Sequence, residues 1–210
     1  MNKEAKVNAS QLFHFLARGE EIAAQCAQYQ SRLAHDKKSI KFFKTQARQE
    51  TQHAFIFNQA KRHFKQKNMT YICQRSLDKF EQKLSSTLNE DKLQESIIAQ
   101  QLLFEGLGEI TLNKVSQGIE DRGFSFNLIR KTILKQERAH HHFGERYIEN
   151  LLADPDLKIQ PIINECKDFM EILNEALYDM SSVLEFYNQS TNEFYQLLMN
   201  DLPFKIRNHL

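Results

Sequence analysis

The sequence predicts an all-α fold: four long helices packed as a bundle, with an additional C-terminal helix covering it. Three observations carry this reading. Gly and Pro number only 6 and 3 in 210 residues, too few turn formers for a many-stranded sheet. Apolar residues recur at helical spacing over four long stretches. Those stretches have matched lengths of about 25–30 residues, or ~40 Å at ~1.5 Å per residue, as an antiparallel bundle requires.

The first helix is expected over Ala9–Ala34, with Leu12, Leu16, Ala23, Ala27 and Leu33 on its apolar side. The second is expected over Lys37–Lys67, with Asp36 as its N-cap and Phe43, Ala47, Phe57, Ala60 and Phe64 inward. A polar connection with a shorter helix, Tyr71–Leu88, follows. The third helix runs over Asp91–Ile119, with Ile98, Leu102, Leu112 and Val115 on one face and Gly118 and Gly123 bracketing its end. The fourth runs over Ser125–Leu152, with Ile129, Ile133, Tyr147 and Leu151 inward, until Asp154-Pro155-Asp156 stops it. One last helix, Ile162–Met199, ends at Asp201-Leu202-Pro203. No composition shift divides the chain, so residues 1–210 read as one domain.

Mean hydropathy is −0.58, and no run of apolar residues is long enough for a membrane span. The first residues lack the apolar core of a secretory signal. Cys26, Cys73 and Cys166 are an odd, widely spaced set that suits a reducing cytoplasm. Net charge is +1 but unevenly spread. Ten Lys/Arg lie between Arg32 and Lys67 against Asp36 and Glu50, whereas His140–Asp201 holds twelve Asp/Glu against Arg146, Lys158 and Lys167. Solvated helix faces explain most of this; the alternative use is a surface for an acidic or polyanionic partner.

The informative residues are polar ones where the pattern demands apolar ones. Glu20 lies between Leu16 and Ala23, Glu50 and His53 between Ala47 and Phe57, Glu105 between Leu102 and Leu112, and Glu137 and His140 between Ile133 and Tyr147. Each long helix thus points a carboxylate at one interior, and two add an imidazole. Glu50-Thr-Gln-His53 and Glu137-Arg-Ala-His140 are both Glu-x-x-His, whose i and i+3 side chains share a helix face. Glu20 and Glu105 each precede such a motif by about 30 residues, so two helical hairpins repeat the pattern with approximate two-fold symmetry.

Four unpaired carboxylates would cost several kcal/mol each to bury. Two divalent cations would neutralise them. Oxygen and imidazole donors without thiolate suit iron, or else manganese. Glu20, Glu50, His53, Glu105, Glu137 and His140 are the expected ligands. Glu21 would replace Glu20 if the helix phase slipped by one residue. Glu109 is either an auxiliary acid of the site or a partly exposed one. His141 and His142 face away and are expected in solvent or behind the ligands. No HExxH, Gly-rich phosphate loop or GxSxG elbow is present.

At these residues the chain resembles the ferritin-like di-iron carboxylate superfamily, and within it the aldehyde-deformylating oxygenases, also called fatty aldehyde decarbonylases. Gln136-Glu-Arg-Ala-His-His-His-Phe-Gly-Glu-Arg-Tyr147 resembles that family's fourth-helix motif, and Gly19-Glu20 its first-helix Gly-Glu. Leu103-Phe104-Glu105, Gln49-Glu50-Thr-Gln-His53 and Ile172-Leu-Asn-Glu175 fall at matching places. Two positions depart from related patterns. Gln136 stands where an Asp commonly orients a metal-bound His, and Phe57 stands where the ribonucleotide reductase small subunit carries its radical Tyr.

The resemblance implies an oxidoreductase with two iron ions. It would activate O2 to oxidise a small, largely apolar substrate such as a fatty aldehyde, with electrons from a reductase partner such as a ferredoxin. Phe57, Leu102, Phe104, Ile133, Ala23, Ala24, Gly106 and Gly108 are candidates for an apolar channel. Hydroxylation of a modified tRNA base and iron handling without organic substrate are the alternatives. Nucleic acid is the less favoured partner, because the basic stretch has only Phe42 and Phe43 beside it for stacking a base.

Overall fold

The structure, a computed structural model, describes residues 2–120 and 127–209. Within them every regular element is helical. Helices α1, Lys3–Leu33, and α2, Lys37–Phe64, form a hairpin and pack along their length. Helix α1 begins six residues earlier than its apolar pattern, because the Asn2 side chain caps it by accepting the Ala5 N–H at 2.8 Å. Asp36 caps α2 as expected, accepting the N–H groups of Lys38 and Ser39, each at 2.9 Å. Helix α3, Gln74–Asn89, crosses to the second hairpin and packs on α1. It stops where Asp91 turns left-handed at φ 57° and the Lys92 N–H closes back on Thr87 O at 3.2 Å.

The expected third helix is not uniform. It comprises α4, Leu93–Ile97, a π-helical segment, Ile98–Phe104, and α5, Glu105–Glu120. All seven π-segment residues are buried, including Gln100 and Gln101. The Glu105 N–H reaches back five residues to Gln100 O, the wider turn that defines a π segment. That widening lays the Gln100 side chain beside Glu105, where ordinary helical spacing would splay them apart.

Helix α6, Asn127–Leu152, completes the second hairpin against α5 and the π segment. Its inner face is the expected one at Ile133, Glu137 and His140 and moves on by one residue toward the C-terminal end. Ile133, Ile148 and Leu152 are buried, Tyr147 and Leu151 only partly, and Ile129 is 47% exposed. The two buried glutamate and histidine positions pull the inner face toward 137, 140, 144 and 148. Gly123, the expected stop of the third helix, and Ser125, the expected start of the fourth, lie outside the described residues.

The single last helix is also corrected. The segment forms α7, Ile159–Asp179, α8, Ser181–Phe186, α9, Thr191–Asp201, and α10, Phe204–Arg207. Asn188 breaks it, at φ 58°, with the Gln189 N–H turned back to Leu184 O. The break lets α9 pack on α5 while α7 packs on α3 and the π segment. Phe80 of α3, Phe104 of the π segment and Phe169 of α7 meet in one aromatic cluster.

Within the second hairpin, Gly144 of α6 lies close against the backbone of the π segment. A Cβ there would lie 2.8 Å from Gln101 C and 2.9 Å from Leu102 N, backbone atoms that cannot swing aside. Gly108 differs, since its added Cβ would meet only Glu137 Oε2, at 3.8 Å. Gly144→Ala is therefore expected to destabilise by ~1–3 kcal/mol, a loss of about 2–10 °C in Tm for a chain this size. Gly108→Ala should be neutral or slightly stabilising through helix propensity. Thermal denaturation of both variants checks the pair.

Candidate metal centre

The six residues singled out in the sequence converge. Glu20 comes from α1, Glu50 and His53 from α2, Glu105 from the first turn of α5, and Glu137 and His140 from α6. All six are buried, Glu20 the least at 8% exposure. They form two groups, each with one donor atom per residue within 4.8 Å of the others: Glu20, Glu50, His53 and Glu137, and Glu50, Glu105, Glu137 and His140. Glu50 and Glu137 belong to both. The i, i+3 spacing on α2 and α6 makes this sharing geometrically available.

The inward atoms have nothing else to bind. Glu50 Oε1 and Oε2, Glu137 Oε1, His53 Nδ1 and His140 Nδ1 are buried without a hydrogen-bonding partner. They lie close together but outside hydrogen-bonding geometry: His53 Nδ1 is 2.9 Å from both Glu50 Oε2 and Glu137 Oε1, and His140 Nδ1 is 2.8 Å from Glu50 Oε1. Five convergent orphaned atoms on carboxylates and imidazoles, with no thiolate among them, fit a pair of divalent cations.

The outward atoms are fully engaged. His53 Nε2 pairs with Gln136 Oε1 at 2.7 Å, and His140 Nε2 with Gln49 Oε1 at 2.9 Å. Each Gln directly precedes the Glu of one motif and serves the His of the other. An amide oxygen only accepts, so each Nε2 donates and each Nδ1 is turned inward. Gln136 thus does by its neutral oxygen what the sequence comparison expected of an Asp. Glu105 Oε1 accepts from Gln46 Nε2 at 2.7 Å and Gln100 Nε2 at 3.0 Å. Of these amides only the position-136 residue carried a signal in the sequence.

The electrostatics are those of crowded acids. Burial pushes the Glu20 carboxyl up to about 8, with Glu50 and Glu105 adding to it and the His53 imidazole opposing. Glu137 is pushed well up by burial and by Glu20, Glu105 and Glu50. Burial acts in the same direction on Glu50, but His140 and His53 outweigh it and hold that carboxyl down at about 2. Burial alone would lower the imidazoles. The surrounding carboxylates outweigh it, lifting His140 to about 10 and His53 above its usual range.

The neighbouring candidates separate. Glu21 is 41% exposed at its side chain, pairs with Arg18 at 3.6 Å and accepts from Asn58 at 2.9 Å, so it lies outside both groups. Glu109 accepts from Arg138 Nε at 2.7 Å and lies 3.8 Å from His141 Nδ1, also outside them. His142 is exposed and paired with Glu145, and His141 is buried but outside both groups, the two alternatives expected for residues that face away. Phe57 is fully buried in the core.

An apolar cavity adjoins the donors. Phe15, Leu16, Ala23, Phe104, Leu107 and Gly108 line it together with Glu20, Glu105 and Glu137, leaving a narrow cavity of about 20 Å³. Phe104, Ala23 and Gly108 were expected there. Phe57, Leu102 and Ile133 belong to the core instead, Gly106 faces His141 and Leu198, and Ala24 lines a surface groove. Gly19 also borders the cavity, and a Cβ on it would sit 2.8 Å from the Phe104 ring. The Gly beside Glu20 makes room for that ring. Phe15, Leu16 and Leu107 were missed as lining; their helical spacing from Glu20 and Glu105 was the available signal.

These shifts predict how the metal-free protein responds to pH. Glu20, Glu137, His53 and His140 all hold protons more tightly when folded than unfolded. Between pH 4.5, where unfolded Glu deprotonates, and about 10 for folded His140, the folded state binds the extra protons. Stability then falls as pH rises. Within the cluster only Glu50 acts oppositely, and only below pH 4.5; outside it, buried His14, lowered to about 4, offsets part of the fall up to about pH 6.5. Chelator-treated protein should melt at a lower temperature at pH 8 than at pH 5.5, and Glu20→Gln should flatten that dependence. A metal-free Tm that rises across this window would contradict the assignment.

No family model and no curated protein sequence matches the chain. Among solved structures, protein 19 from Synechococcus, which has aldehyde deformylating oxidase activity, is similar. The match covers 100% of this chain and 92% of that one, at a TM-score of 0.78 and 11% sequence identity. At that identity the likeness establishes architecture: the chain has the ferritin-like helical-bundle fold of that protein.

Proposed function

We propose that the chain is a non-haem di-iron oxidoreductase that activates O2 to oxidise a small, largely apolar substrate of the fatty-aldehyde type. The observation that carries this is the pair of donor groups sharing Glu50 and Glu137 beside an apolar cavity. The oxidase activity of the Synechococcus protein with this fold supports it. Glu50 and Glu137 would bridge, Glu20 and Glu105 would be terminal carboxylates, and His53 and His140 terminal nitrogens. Four ionised carboxylates balance two divalent ions, iron being preferred and manganese the second choice. When bound, two ferrous ions supply electrons for reducing O2.

The remaining work belongs to the chain's own side chains. Gln49 and Gln136 keep Nδ1 of each imidazole directed inward. Phe15, Leu16, Phe104 and Leu107 keep water from the donors, and an alkyl chain that parts them would gain about 0.8 kcal/mol per buried CH2. Such a substrate needs little polar recognition. Lys44 and Arg48 of α2 and Arg32 of α1 border a surface groove. We read this basic face as the docking place of an acidic electron donor such as a ferredoxin, not of tRNA. No described helix is long and apolar enough to cross a membrane.

Anaerobic reconstitution with ferrous iron should load two ions per chain. Glu50→Ala or Glu137→Ala should lose at least one and abolish oxidation, and Glu20→Ala should be severe while Glu21→Ala is mild. Elemental analysis decides; one ion or none in the reconstituted wild type would defeat the di-iron reading.

Substrate class is tested on the reduced protein. Long-chain aldehydes should perturb its ligand-field spectrum, whereas tRNA should bind only through phosphate contacts and dissociate by about 0.2 M salt. Retention of tRNA above that salt with hydroxylation of a base would favour the RNA reading.

A further inference from the structure

Resting on the di-iron reading, we propose that the two metal positions are inequivalent. The one bounded by Glu50, Glu105, Glu137 and His140 is preorganised by Gln46 and Gln100 and fills first. The one bounded by Glu20, Glu50, His53 and Glu137 is adaptable and fills second. Gln46 and Gln100 are then positioning residues that set the order of loading.

The argument starts from a buried relay of amides. Ser96, Gln30, Gln46, Gln100 and Gln101 are all fully buried. Gln30 of α1 and Gln101 of the π segment pair reciprocally, Nε2 to Oε1, at 3.0 and 2.7 Å. Gln30 Nε2 also donates to Ser96 Oγ at 3.1 Å. Gln101 Nε2 donates onward to Gln46 Oε1 at 3.0 Å, and Gln46 Nε2 donates to Glu105 Oε1. Gln100 adds the second donor to that same oxygen.

The polarity of this relay is forced. An ionised carboxylate only accepts, so Gln46 must turn its nitrogen to Glu105 and its oxygen to Gln101. Gln101 must then donate, and Gln30 supplies its other partner. Reversing Gln46 would set acceptor against acceptor at Glu105 and donor against donor at Gln101 inside a dry core. Elements α1, α2, α4, the π segment and α5 each contribute one member or more, so Glu105 is held from several directions. Its Oε1 is occupied by two N–H groups, which leaves Oε2 as the free ligand atom, 3.8 Å from His140 Nδ1.

Glu20 has no such support. Among the described residues no amide reaches its carboxylate, and its nearest imidazole atom, His53 Nδ1, is 3.6 Å from Oε2. It lines the cavity beside Gly19, as Glu105 and Glu137 also do, but without their amide or imidazole contacts under 3 Å. A ligand already fixed in its bound rotamer loses less freedom when an ion arrives, so affinity follows preorganisation. The same looseness lets Glu20 rearrange at the position beside the cavity.

Two sequential loading steps alone would not establish this, because cations sharing Glu50 and Glu137 repel in any arrangement. The identity of the first site is the test. Metal-free protein is titrated with Co2+ by calorimetry and visible absorption. In wild type the first step should be at least about tenfold tighter than the second. Glu20→Gln should keep the tight step and lose the weak one, and Glu105→Gln should lose the tight one.

Gln46→Leu, which leaves Gln101 its Gln30 partner, should weaken the first step about 10- to 100-fold and leave the second within a factor of about three. Gln100→Leu should act in the same direction and replaces it if Gln46→Leu does not fold. Loss of the tight step in Glu20→Gln, or an unchanged first step in the folded glutamine variant, overturns the inequivalence. Two bound ions would still stand in that case. Failure of wild type to bind Co2+ or ferrous iron overturns the di-iron reading itself.

Discussion

The rest of the structure follows from one electrostatic constraint: four carboxylates and two imidazoles face each other in the interior of a helical bundle. Acids so placed cost several kcal/mol each unless something pairs them. The imidazoles offset part of this, holding Glu50 ionised while Glu20 and Glu137 are driven toward their neutral forms. The fold supplies the remainder with amides on the outside of the cluster and leaves the inside unsatisfied. A core that were merely stable would have no reason to keep five polar atoms without partners.

Holding the cluster requires neighbouring helices, within the second hairpin and between the two hairpins, to approach more closely than ordinary side chains allow. Gly144 permits α6 to rest on the backbone of the π segment, and Gly19 permits α1 to rest on Phe104. The π segment contributes differently. By closing on the fifth residue it brings Gln100 beside Glu105, an alignment for a buried acid that regular helix does not offer. The aromatic cluster of Phe80, Phe104 and Phe169 then backs this segment with α3 and α7.

Much of this was legible in the sequence. A carboxylate on an apolar helix face is conspicuous, and Glu-x-x-His repeated after a lone Glu identified six residues that do meet. Helix content and the α2 cap followed from spacing and from Asp36. Other features left weaker traces. The π segment has no composition of its own, since its extra residue hides within the stretch from Ile97 to Phe104, where only Gln100 and Gln101 interrupt apolar residues. The break at Asn188 leaves a weak trace because no Gly or Pro marks it, only a short polar stretch, Asn188–Asn192. On α6 Ile133 lies inward as its spacing says, whereas Ile129, near the helix end, is exposed, and Ile148 and Leu152 take the buried places expected of Tyr147 and Leu151. Buried glutamines were hardest of all, since nothing in the sequence separates Gln46 or Gln101 from the solvated glutamines around them.

The crossed pairing of Gln49 with His140 and Gln136 with His53 has a consequence for how the molecule can be taken apart or rebuilt. Neither hairpin is a self-sufficient binding module, because each carries the acceptor its counterpart needs and lacks its own. A helix transplanted alone into another scaffold would bring a histidine free to flip its ring. Any redesign of the centre must therefore treat α2 and α6 as one reciprocal unit and change them together.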